Sequence, residues 1–423
     1  MKESKYNIIK KTSENTIIYN VNSSGVLRLN NEYSYEFDDL INRNNCNKSD
    51  LIAALKSGRM IVDDDSEEIN SLILNSLLSR YNTHNLTLTI APTLECNFAC
   101  NYCYEEGYRK HTMTSEVQDK VIDFVKHYSK GISKLGVAWY GGEPLLAIGI
   151  IEKLTESFLT IAGDKIKYSS SLVTNGYNLN KDTSRKLKEL KVEKIQVTID
   201  GPREIHDSRR YLHSKAGTFD KIISNIKESC SEIPIIIRIN VDKSNVQFLN
   251  DLLICFEEND LKGKVSLYIA PVDNINNSCT NTECLSVSDF SIEEINFYNE
   301  AWKKGFNSVT IPPNNASICG AVCVNSFVID PKGDLYKCWN HIGHVEESVG
   351  SVINNEINSN IYKWLLYNPF DNVNCRECIV MPACMGGCPY QVINNDINKC
   401  KSIKHNAVEI LNLFSNSKNQ KSV

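Results

Sequence analysis

The chain has 423 residues, of which 42% are hydrophobic and 23% are charged, a balance typical of a globular protein with a substantial core. Its net charge of −5 at pH 7 is small for this length and argues against a nucleic-acid-binding protein of the ordinary basic kind. No run of 18 apolar residues occurs, and the opening MKESKYNIIKKTSEN lacks the apolar segment of a secretory signal. The sequence therefore predicts a cytoplasmic protein of two or three domains, with no nucleic-acid or membrane partner.

Residues 1–84 contain no metal-type spacing of cysteines and predict a small winged-helix-like domain. Two β-like runs, NTIIYNV and GVLRL, come first, and helical patterns follow at YEFDDLINR, KSDLIAALKSG and EEINSLILNSLLSRY. A short RMIVDD run separates the last two helices. Two strands, a helix pair and a wing-like hairpin would make up such a domain, and a merely structural cap is the alternative.

Residues 85–310 alternate between apolar strands and helical patterns, which predicts a parallel sheet covered by helices. Six βα units are too few for a closed eight-stranded barrel, so the predicted fold class is α/β, with a partial (β/α)6 barrel of the TIM type. In such folds the chemistry lies at the C-terminal ends of the strands. That places residues 141–144, 174–176 and 198–201 on one rim. The predicted strands are LTLTIAPT, LGVAWYGG, YSSSLVTNG, KIQVTIDG, PIIIRINV and VSLYIAPV.

Sixteen cysteines are the most informative part of the composition. In a reducing compartment cysteines stay as thiols, and closely spaced thiols then indicate metal or iron–sulfur ligation. Two groups stand out, at 96–103 and 319–400. The others are expected to be buried or incidental thiols, because a free cysteine behaves as a small hydrophobic residue. These are Cys46, Cys230, Cys255, Cys279 and Cys284.

The first group, Cys96, Cys100 and Cys103, forms a C-x3-C-x2-C loop just after the first predicted strand of the barrel. Three thiolates on one short loop can hold three irons of a [4Fe–4S] cubane and leave the fourth iron open. A zinc loop is the alternative, but structural zinc usually has four protein ligands, and only His111 follows nearby.

This loop, with the aromatic Tyr102 before its last cysteine, resembles the signature of the radical SAM superfamily, C-x3-C-x-aromatic-C. The resemblance implies that S-adenosylmethionine chelates the open iron through its amino and carboxylate groups. Reductive cleavage of the cofactor then gives a 5′-deoxyadenosyl radical that abstracts a hydrogen atom from the substrate. The protein supplies position and excludes water.

Residues at the predicted rim match further elements of the same family. Gly141, Gly142, Glu143 and Pro144 resemble the motif that holds the methionine amino group, although glycine–proline clusters also mark ordinary turns. The other S-adenosylmethionine contacts that the resemblance implies are Tyr102, Asn175, Thr198, Asp200 and, at the end of an HDSRR segment, Arg210. The alternatives are an ordinary Asp-Gly turn for residues 198–201 and a surface charge for Arg210.

The second group of cysteines, within a predicted domain at 311–423, supplies eight thiols, enough for two cubanes. The pattern resembles the SPASM extension of peptide-modifying radical SAM enzymes, including Met385-Gly386-Gly387 before Cys388. One or two structural zinc sites are the alternative. The resemblance implies one auxiliary [4Fe–4S] cluster on Cys319, Cys323, Cys338 and Cys388, and a second on Cys375, Cys378, Cys384 and Cys400. Because Cys319 and Cys323 are closer in sequence than in some members, Cys319 is the least secure ligand. Without it, the first cluster would have an open iron for a substrate thiolate.

These patterns together predict a radical SAM/SPASM maturase that forms a cross-link, such as a thioether, in a ribosomally made precursor peptide. Residues 1–84 would bind the leader of that precursor by strand addition. A reductant such as a flavodoxin or ferredoxin would be the second partner. No catalytic acid or base is assigned.

Two other functions compete with this prediction. An anaerobic sulfatase-maturating enzyme would carry an aspartate after the cysteine that corresponds to Cys338, and it would begin close to its cluster loop. Here Trp339 stands at that position, and 95 residues precede Cys96. A zinc-dependent scaffold protein would have no need of a three-cysteine loop followed by Gly-Gly-Glu-Pro.

Overall fold

The structure is a computed structural model that describes residues 1–103, 105, 110–274, 283–306, 319–395 and 400–420. The predicted boundary between residues 310 and 311 lies outside the described residues, as does Cys279. No helix within those ranges is both long and apolar enough to cross a membrane.

Six parallel strands form the centre of the molecule, and each is hydrogen-bonded to its neighbours in chain order. β-Branched and other apolar residues dominate several of them, such as Ile235–Val241, because helices cover the sheet. This arrangement confirms the predicted partial barrel and brings the six C-terminal strand ends to one rim. The strands are β6 (Asn85–Ile90), β7 (Lys134–Trp139), β8 (Lys167–Thr174), β9 (Val192–Thr198), β10 (Ile235–Val241) and β11 (Val265–Pro271).

Helices follow the strands and bury their apolar faces against the sheet. The helix after β6 begins where the Thr114 side chain accepts a hydrogen bond from the Val117 amide, and its buried face includes Val121 and Phe124. A seven-residue helix, Arg203–Arg209, was not expected, because its polar sequence has too few apolar positions for a periodic pattern. The helices of this part are α4 (Ser115–Tyr128), α5 (Ile148–Ala162), α6 (Lys181–Glu189), α7 (Arg203–Arg209), α8 (Phe219–Ser229) and α9 (Leu249–Glu258).

The sheet of the barrel continues into the C-terminal, cysteine-rich part. Strand β12 (Ser326–Ile329) pairs in parallel with β6, so that Ile329 lies beside Ile90. Three short antiparallel strands extend the sheet further, β13 (Asp334–Tyr336), β14 (Gly350–Ser351) and β15 (Glu356–Ile357). The remaining helices are α10 (Val287–Lys303), α11 (Tyr362–Leu365), α12 (Val373–Arg376), α13 (Met381–Cys384), α14 (Pro389–Asn395) and α15 (Ile403–Gln420).

The N-terminal part contains a three-stranded antiparallel sheet in the order β2-β3-β4 and a second, two-stranded sheet of β1 and β5. The predicted strands and helices are present, but the two strands before residue 12 were missed. That this part is a winged-helix-like domain of residues 1–84 stays a prediction. Its elements are β1 (Lys2–Glu3), β2 (Asn7–Lys11), β3 (Asn15–Asn20), β4 (Val26–Asn30), α1 (Asn31–Arg43), α2 (Ser49–Ser57), β5 (Ile61–Val62) and α3 (Asp65–Arg80).

The N-terminal part packs directly on the C-terminal cysteine-rich part. Tyr6 and Ile69 belong to one buried apolar cluster with Met381 and Met385. At the end of α3, the buried guanidinium of Arg80 donates through Nη2 to the Leu365 carbonyl oxygen at 2.8 Å. One shared core therefore joins the two ends of the chain.

A buried carboxyl in the β12–β13 turn makes stability depend on pH. Asp330 accepts the Lys332 and Asp334 amides, both at 2.9 Å, but burial raises its pKa to about 6, and the Asp334 carboxylate adds to the rise. Because the folded state holds this proton more tightly, stability is lost as pH rises from the unfolded pKa towards 6.

We therefore expect Asp330→Asn, which keeps an oxygen acceptor, to gain stability over the parent as pH rises. The gain should grow by about 1 kcal/mol between pH 5 and pH 8, measured by anaerobic urea unfolding. The exposed Asp164→Asn is the control and should show no such trend. A pH-independent difference between Asp330→Asn and the parent would exclude this carboxyl as the cause.

Candidate active site

The three-cysteine loop leaves the barrel just after β6. Burial raises the pKa of the Cys96 thiol to about 11 and that of Cys103 to about 12, and the neighbouring Cys100 thiol contributes to both rises. Thiols raise one another's pKa only when they lie close together. The structure therefore brings the three predicted ligands together. Binding to iron would convert them to thiolates despite this burial.

A second segment of chain, residues 209–213, runs alongside this loop and holds it through backbone hydrogen bonds. The Asn101 amide donates to the Arg209 carbonyl at 3.2 Å, and the Ala99 amide donates to the Tyr211 carbonyl at 2.8 Å. The His213 ring Nε2 lies 3.0 Å from the Cys96 carbonyl oxygen. The cluster loop is therefore fixed to the end of α7.

The two glycines of the Gly-Gly-Glu-Pro motif allow the backbone to approach the start of the cluster loop. A β-carbon on Gly142 would overlap the Glu95 carbonyl, and one on Gly141, whose φ is 114°, would overlap the Thr93 carbonyl. The Gly142 amide in turn donates to the Thr93 carbonyl at 3.2 Å. The absence of a side chain at both positions therefore allows the rim to pack against the backbone of residues 93–95.

Glu143 joins the ends of β7 and β8. Its buried carboxylate accepts the Thr174 hydroxyl at 2.7 Å, the Asn175 amide at 2.7 Å and the Leu145 amide at 2.9 Å. Pro144 is buried at the start of the short 3-10 helix that follows. Because it accepts three hydrogen bonds from the protein, this carboxylate stabilises the rim, in addition to any contact with a cofactor.

Asn175 links the rim to the cluster loop. Its Nδ2 donates to Asn97 Oδ1 at 2.8 Å and lies 4.0 Å from Cys96 Sγ. Thr198 ends β9 as a buried residue on the same rim. Asn175 therefore lies beside the cluster loop, whereas for Thr198 the structure shows a place on the rim.

Asp200, Tyr102 and Arg210 form one network in which Asp200 is buried and the other two are half-buried. The Tyr102 hydroxyl donates to Asp200 Oδ2 and accepts from Arg210 Nη1 at 2.7 Å and from Asn240 Nδ2 at 3.2 Å. Asp200 Oδ1 accepts the Asn240 amide at 3.0 Å. The structure thus brings together three residues predicted to bind the cofactor.

Sequence reasoning missed two residues that position this network, Asn240 and His206. His206 is buried and its pKa lies well below the usual value, first because of burial and then because of Arg210 and Arg209. Its neutral ring accepts the Asp200 amide at Nδ1 and lies 3.1 Å from the Thr218 hydroxyl at Nε2. The HDSRR motif was the available signal for His206, while no local pattern marked Asn240.

The structure also gathers the first predicted auxiliary quartet. Burial raises the pKa of Cys338, and the Cys319 and Cys388 thiols raise it further, while Cys323 acts in the same way on Cys319. The Lys337 ammonium donates to the Cys323 carbonyl at 2.5 Å and fixes this turn. These are the four thiols that the SPASM resemblance groups together.

The second predicted quartet lies at the other end of the cysteine-rich part. Burial raises the pKa of Cys375, and the thiols of Cys384, Cys400 and Cys378 raise it further. The Lys404 ammonium donates to Cys400 Sγ at 3.5 Å. That either quartet binds iron stays a prediction.

The residues present fit a cubane cluster and a cofactor that carries a carboxylate group. In the part of the chain that the structure describes, no three His, Cys, Asp or Glu side chains converge on a single metal ion. A cubane does not require its ligands to converge on one ion, because each thiolate binds a different iron. Beside the cluster loop, Arg209 Nε and Nη2 and Arg210 Nε are buried donors without a hydrogen-bond partner, which suits a cofactor carboxylate.

Comparison with known families decides which chemistry these residues serve. The family model of the radical SAM superfamily matches residues 90–244, which include the cluster loop and the rim. Residues 90–244 therefore form a radical SAM domain. Its cofactors are S-adenosylmethionine and a [4Fe–4S] cluster, as the cluster loop predicted.

Two curated relatives of this radical SAM enzyme bear names that refer to maturation. It is 25% identical over 337 residues to the cysteine-type anaerobic sulfatase-maturating enzyme of Clostridium novyi, a match that covers 72% of this chain and 88% of that one. It is 23% identical over 169 residues to the sporulation killing factor maturation protein SkfB of Bacillus subtilis, covering 40% and 38% respectively.

Two solved structures share the fold. The anaerobic sulfatase-maturating enzyme anSMEcpe with bound AdoMet has a TM-score of 0.64 at 20% identity and covers 79% of this chain and 96% of its own. Streptococcus suis SuiB has a TM-score of 0.55 at 14% identity and covers 95% of this chain and 98% of its own. The fold of SuiB therefore extends over most of the N-terminal part.

Proposed function

We propose that this radical SAM enzyme modifies a ribosomally made precursor peptide and forms a cross-link in it, such as a thioether from a cysteine side chain. The observation that carries the proposal is an edge strand beside a groove in the N-terminal part, which suits binding of a leader peptide. When bound, the cluster and S-adenosylmethionine supply a 5′-deoxyadenosyl radical for hydrogen abstraction. One solved structure that shares the fold is SuiB bound to its precursor peptide SuiA. This likeness supports a peptide as the substrate of the present enzyme.

The groove runs along β4, which pairs with β3 on one side and lies at the edge of its sheet. It has a volume of about 640 Å³. Leu27 and Leu29 of β4 face Leu51 and Ala54 of α2 across it, and Asp50 lies beside them. An extended peptide could add to this edge through its backbone and place apolar side chains in the groove.

We expect Ala54→Trp to weaken binding of the precursor peptide at least tenfold, because the indole would fill the groove. The measurement is fluorescence anisotropy with a labelled, cysteine-containing candidate precursor peptide. Ala53→Trp is the matched control, since Ala53 is the preceding residue of the same helix, is exposed and does not line the groove. Equal peptide affinity in the two variants would show that the leader does not bind in this groove.

Trp339 supports a cross-linking reaction over oxidation to formylglycine. The sulfatase-maturating resemblance calls for an aspartate base directly after the residue equivalent to Cys338, and an indole cannot accept a proton in that way. The Trp339 ring is 46% exposed and stacks on Tyr140, with ring centroids 5.7 Å apart and planes 26° apart. Since Tyr140 immediately precedes Gly141, this aromatic pair lies between the cofactor rim and the first auxiliary quartet.

The two auxiliary quartets would each hold a [4Fe–4S] cluster. The cross-link removes two electrons from the peptide. One would leave with the abstracted hydrogen atom. As the sulfur–carbon bond forms and the thiol proton is released, the other would need an acceptor, which a cluster held by either quartet would supply. A flavodoxin or ferredoxin would supply the electron that begins each turnover.

Mass spectrometry of the treated peptide tests the proposed reaction. Incubation of the reconstituted enzyme with S-adenosylmethionine, a reductant and a cysteine-containing candidate precursor peptide should yield a product that has lost two hydrogens and one free thiol. Conversion of a cysteine thiol to an aldehyde, with formylglycine in the product, would instead assign the sulfatase-maturating reaction. A peptide returned unchanged would overturn the proposal.

A further inference from the structure

We propose that Arg209, held by Asp242, is a positioning residue that sets the cluster loop and the S-adenosylmethionine site. The inference depends on the radical SAM chemistry of the enzyme and is independent of the peptide that it modifies. Arg209 ends α7, and its side chain is buried. It is the residue before Arg210, which the family resemblance already places at the cofactor.

Residues just after the end of β10 hold the guanidinium of Arg209 through hydrogen bonds. Nη1 donates to Asp242 Oδ1 at 3.0 Å and Oδ2 at 2.8 Å, and to the Ser244 hydroxyl at 2.6 Å. Asp242 is itself anchored, because Asn245 Oδ1 accepts its backbone amide at 2.9 Å. A planar guanidinium on a carboxylate has a defined orientation that a lysine ammonium lacks.

From this position Arg209 reaches the cluster loop in two ways. Its guanidinium carbon lies 4.9 Å from the centroid of the Tyr102 ring, as in a cation–π contact. Its carbonyl oxygen accepts the Asn101 amide at 3.2 Å. Both loop residues lie between Cys100 and Cys103, so a shift of Arg209 would move the segment that joins two cluster ligands.

The same guanidinium also faces the cofactor network. Arg209 Nε lies 3.6 Å from Asp200 Oδ2, and both Nε and Nη2 are buried without a hydrogen-bond partner. Burying charges away from water is unfavourable, and apolar replacements often stabilise such sites better. An ion pair with two unused donors at a cofactor rim is therefore explained better by positioning than by stability.

A second ion pair involving α7 offers a matched control. Arg203, at the start of this helix, pairs with Asp220, and both side chains are more than half exposed. This pair lies on the surface and contacts neither the cluster loop nor Asp200. Replacing both residues by alanine removes an ion pair of the same composition from the same helix.

The test compares the reconstituted parent with Arg209→Met/Asp242→Leu, Arg209→Lys and the Arg203→Ala/Asp220→Ala control. The double variant removes both charges, so that it leaves no unpaired buried ion. Three quantities are measured for each protein: iron per chain, the dissociation constant of S-adenosylmethionine, and the change that S-adenosylmethionine causes in the electron paramagnetic resonance spectrum of the reduced cluster.

We expect the double variant to bind S-adenosylmethionine 10- to 100-fold more weakly than the parent, with an altered spectral change, and Arg209→Lys to lie between them. The surface control should match the parent. Parent-like affinity and spectrum in the double variant would overturn the proposal. If the double variant holds less iron than the parent, the proposal is judged on Arg209→Lys instead. Parent-like affinity of Arg209→Lys for S-adenosylmethionine would then overturn the proposal.

Discussion

Replacement of Cys96, Cys100 and Cys103 together by alanine is expected to abolish formation of 5′-deoxyadenosine from S-adenosylmethionine. The three thiols lie on one loop after β6, and their mutual effects on ionisation show that they lie close together. Without them no protein ligand holds the catalytic cluster, while the two C-terminal quartets remain. The variant should therefore lose about four irons per chain and keep about eight.

Iron analysis and chromatography of the nucleoside products check this expectation after anaerobic reconstitution. Cys46→Ala/Cys230→Ala/Cys255→Ala is the matched control, because it also removes three thiols, all of them outside the cluster loop and both quartets. The control should retain all of its iron and its activity. Nucleoside cleavage by the Cys96, Cys100 and Cys103 variant at the parent rate would show that this loop does not hold the catalytic cluster.

Gly142→Ala is expected to reduce the rate of S-adenosylmethionine cleavage by about 100-fold or more, because a 1 Å displacement of a reacting group can cost this much. A β-carbon at this position would overlap the carbonyl of Glu95, which is the residue before Cys96. Backbone cannot move aside as a flexible side chain can, so the rim and the cluster loop must separate. The Glu143 amide, which donates to the same Glu95 carbonyl at 2.8 Å, would be displaced as well.

The comparison for this variant is Gly149→Ala, measured in the same cleavage assay and by thermal unfolding. Gly149 lies in α5, and a β-carbon there meets no atom within 4 Å. Alanine should stabilise that helix by up to about 1 kcal/mol and leave cleavage unchanged. Cleavage by Gly142→Ala at the rate of Gly149→Ala would show that the close approach of the two loops has no part in catalysis.

The barrel could be predicted from sequence because its signals are local. Several strands are short runs of mostly apolar residues, such as PIIIRINV, and helical patterns alternate with the strands along the chain. The βα order therefore predicts which strands are neighbours in the sheet. The cluster loop was equally visible, since three thiols within eight residues have few structural explanations.

The extension of the sheet could not be predicted, because the pairing of β12 with β6 joins segments more than 200 residues apart. The two N-terminal strands were missed for a different reason. Lys2–Glu3 contains no apolar residue, and Asn7–Lys11 follows the polar opening of the chain, so neither shows a clear alternating pattern.

The positions of the site residues were predictable, but their contacts were not. Glu143 was expected to meet an ammonium group, and the structure shows that it also bonds Thr174 and Asn175 across two strand ends. In the sequence, Arg209 was distinguished only by its position next to Arg210, the predicted cofactor contact. Its pairing with Asp242 depends on the end of a strand that lies 33 residues later.

Transfer of a deuterium atom from the peptide to the cofactor tests the whole account most directly. The reconstituted enzyme would be given S-adenosylmethionine, a reductant and a fully deuterated, cysteine-containing candidate precursor peptide. The 5′-deoxyadenosine would then be examined by mass spectrometry. We expect 5′-deoxyadenosine that carries one peptide deuterium, together with a cross-linked peptide. Unlabelled 5′-deoxyadenosine beside an unchanged peptide, or no 5′-deoxyadenosine at all, would contradict the account.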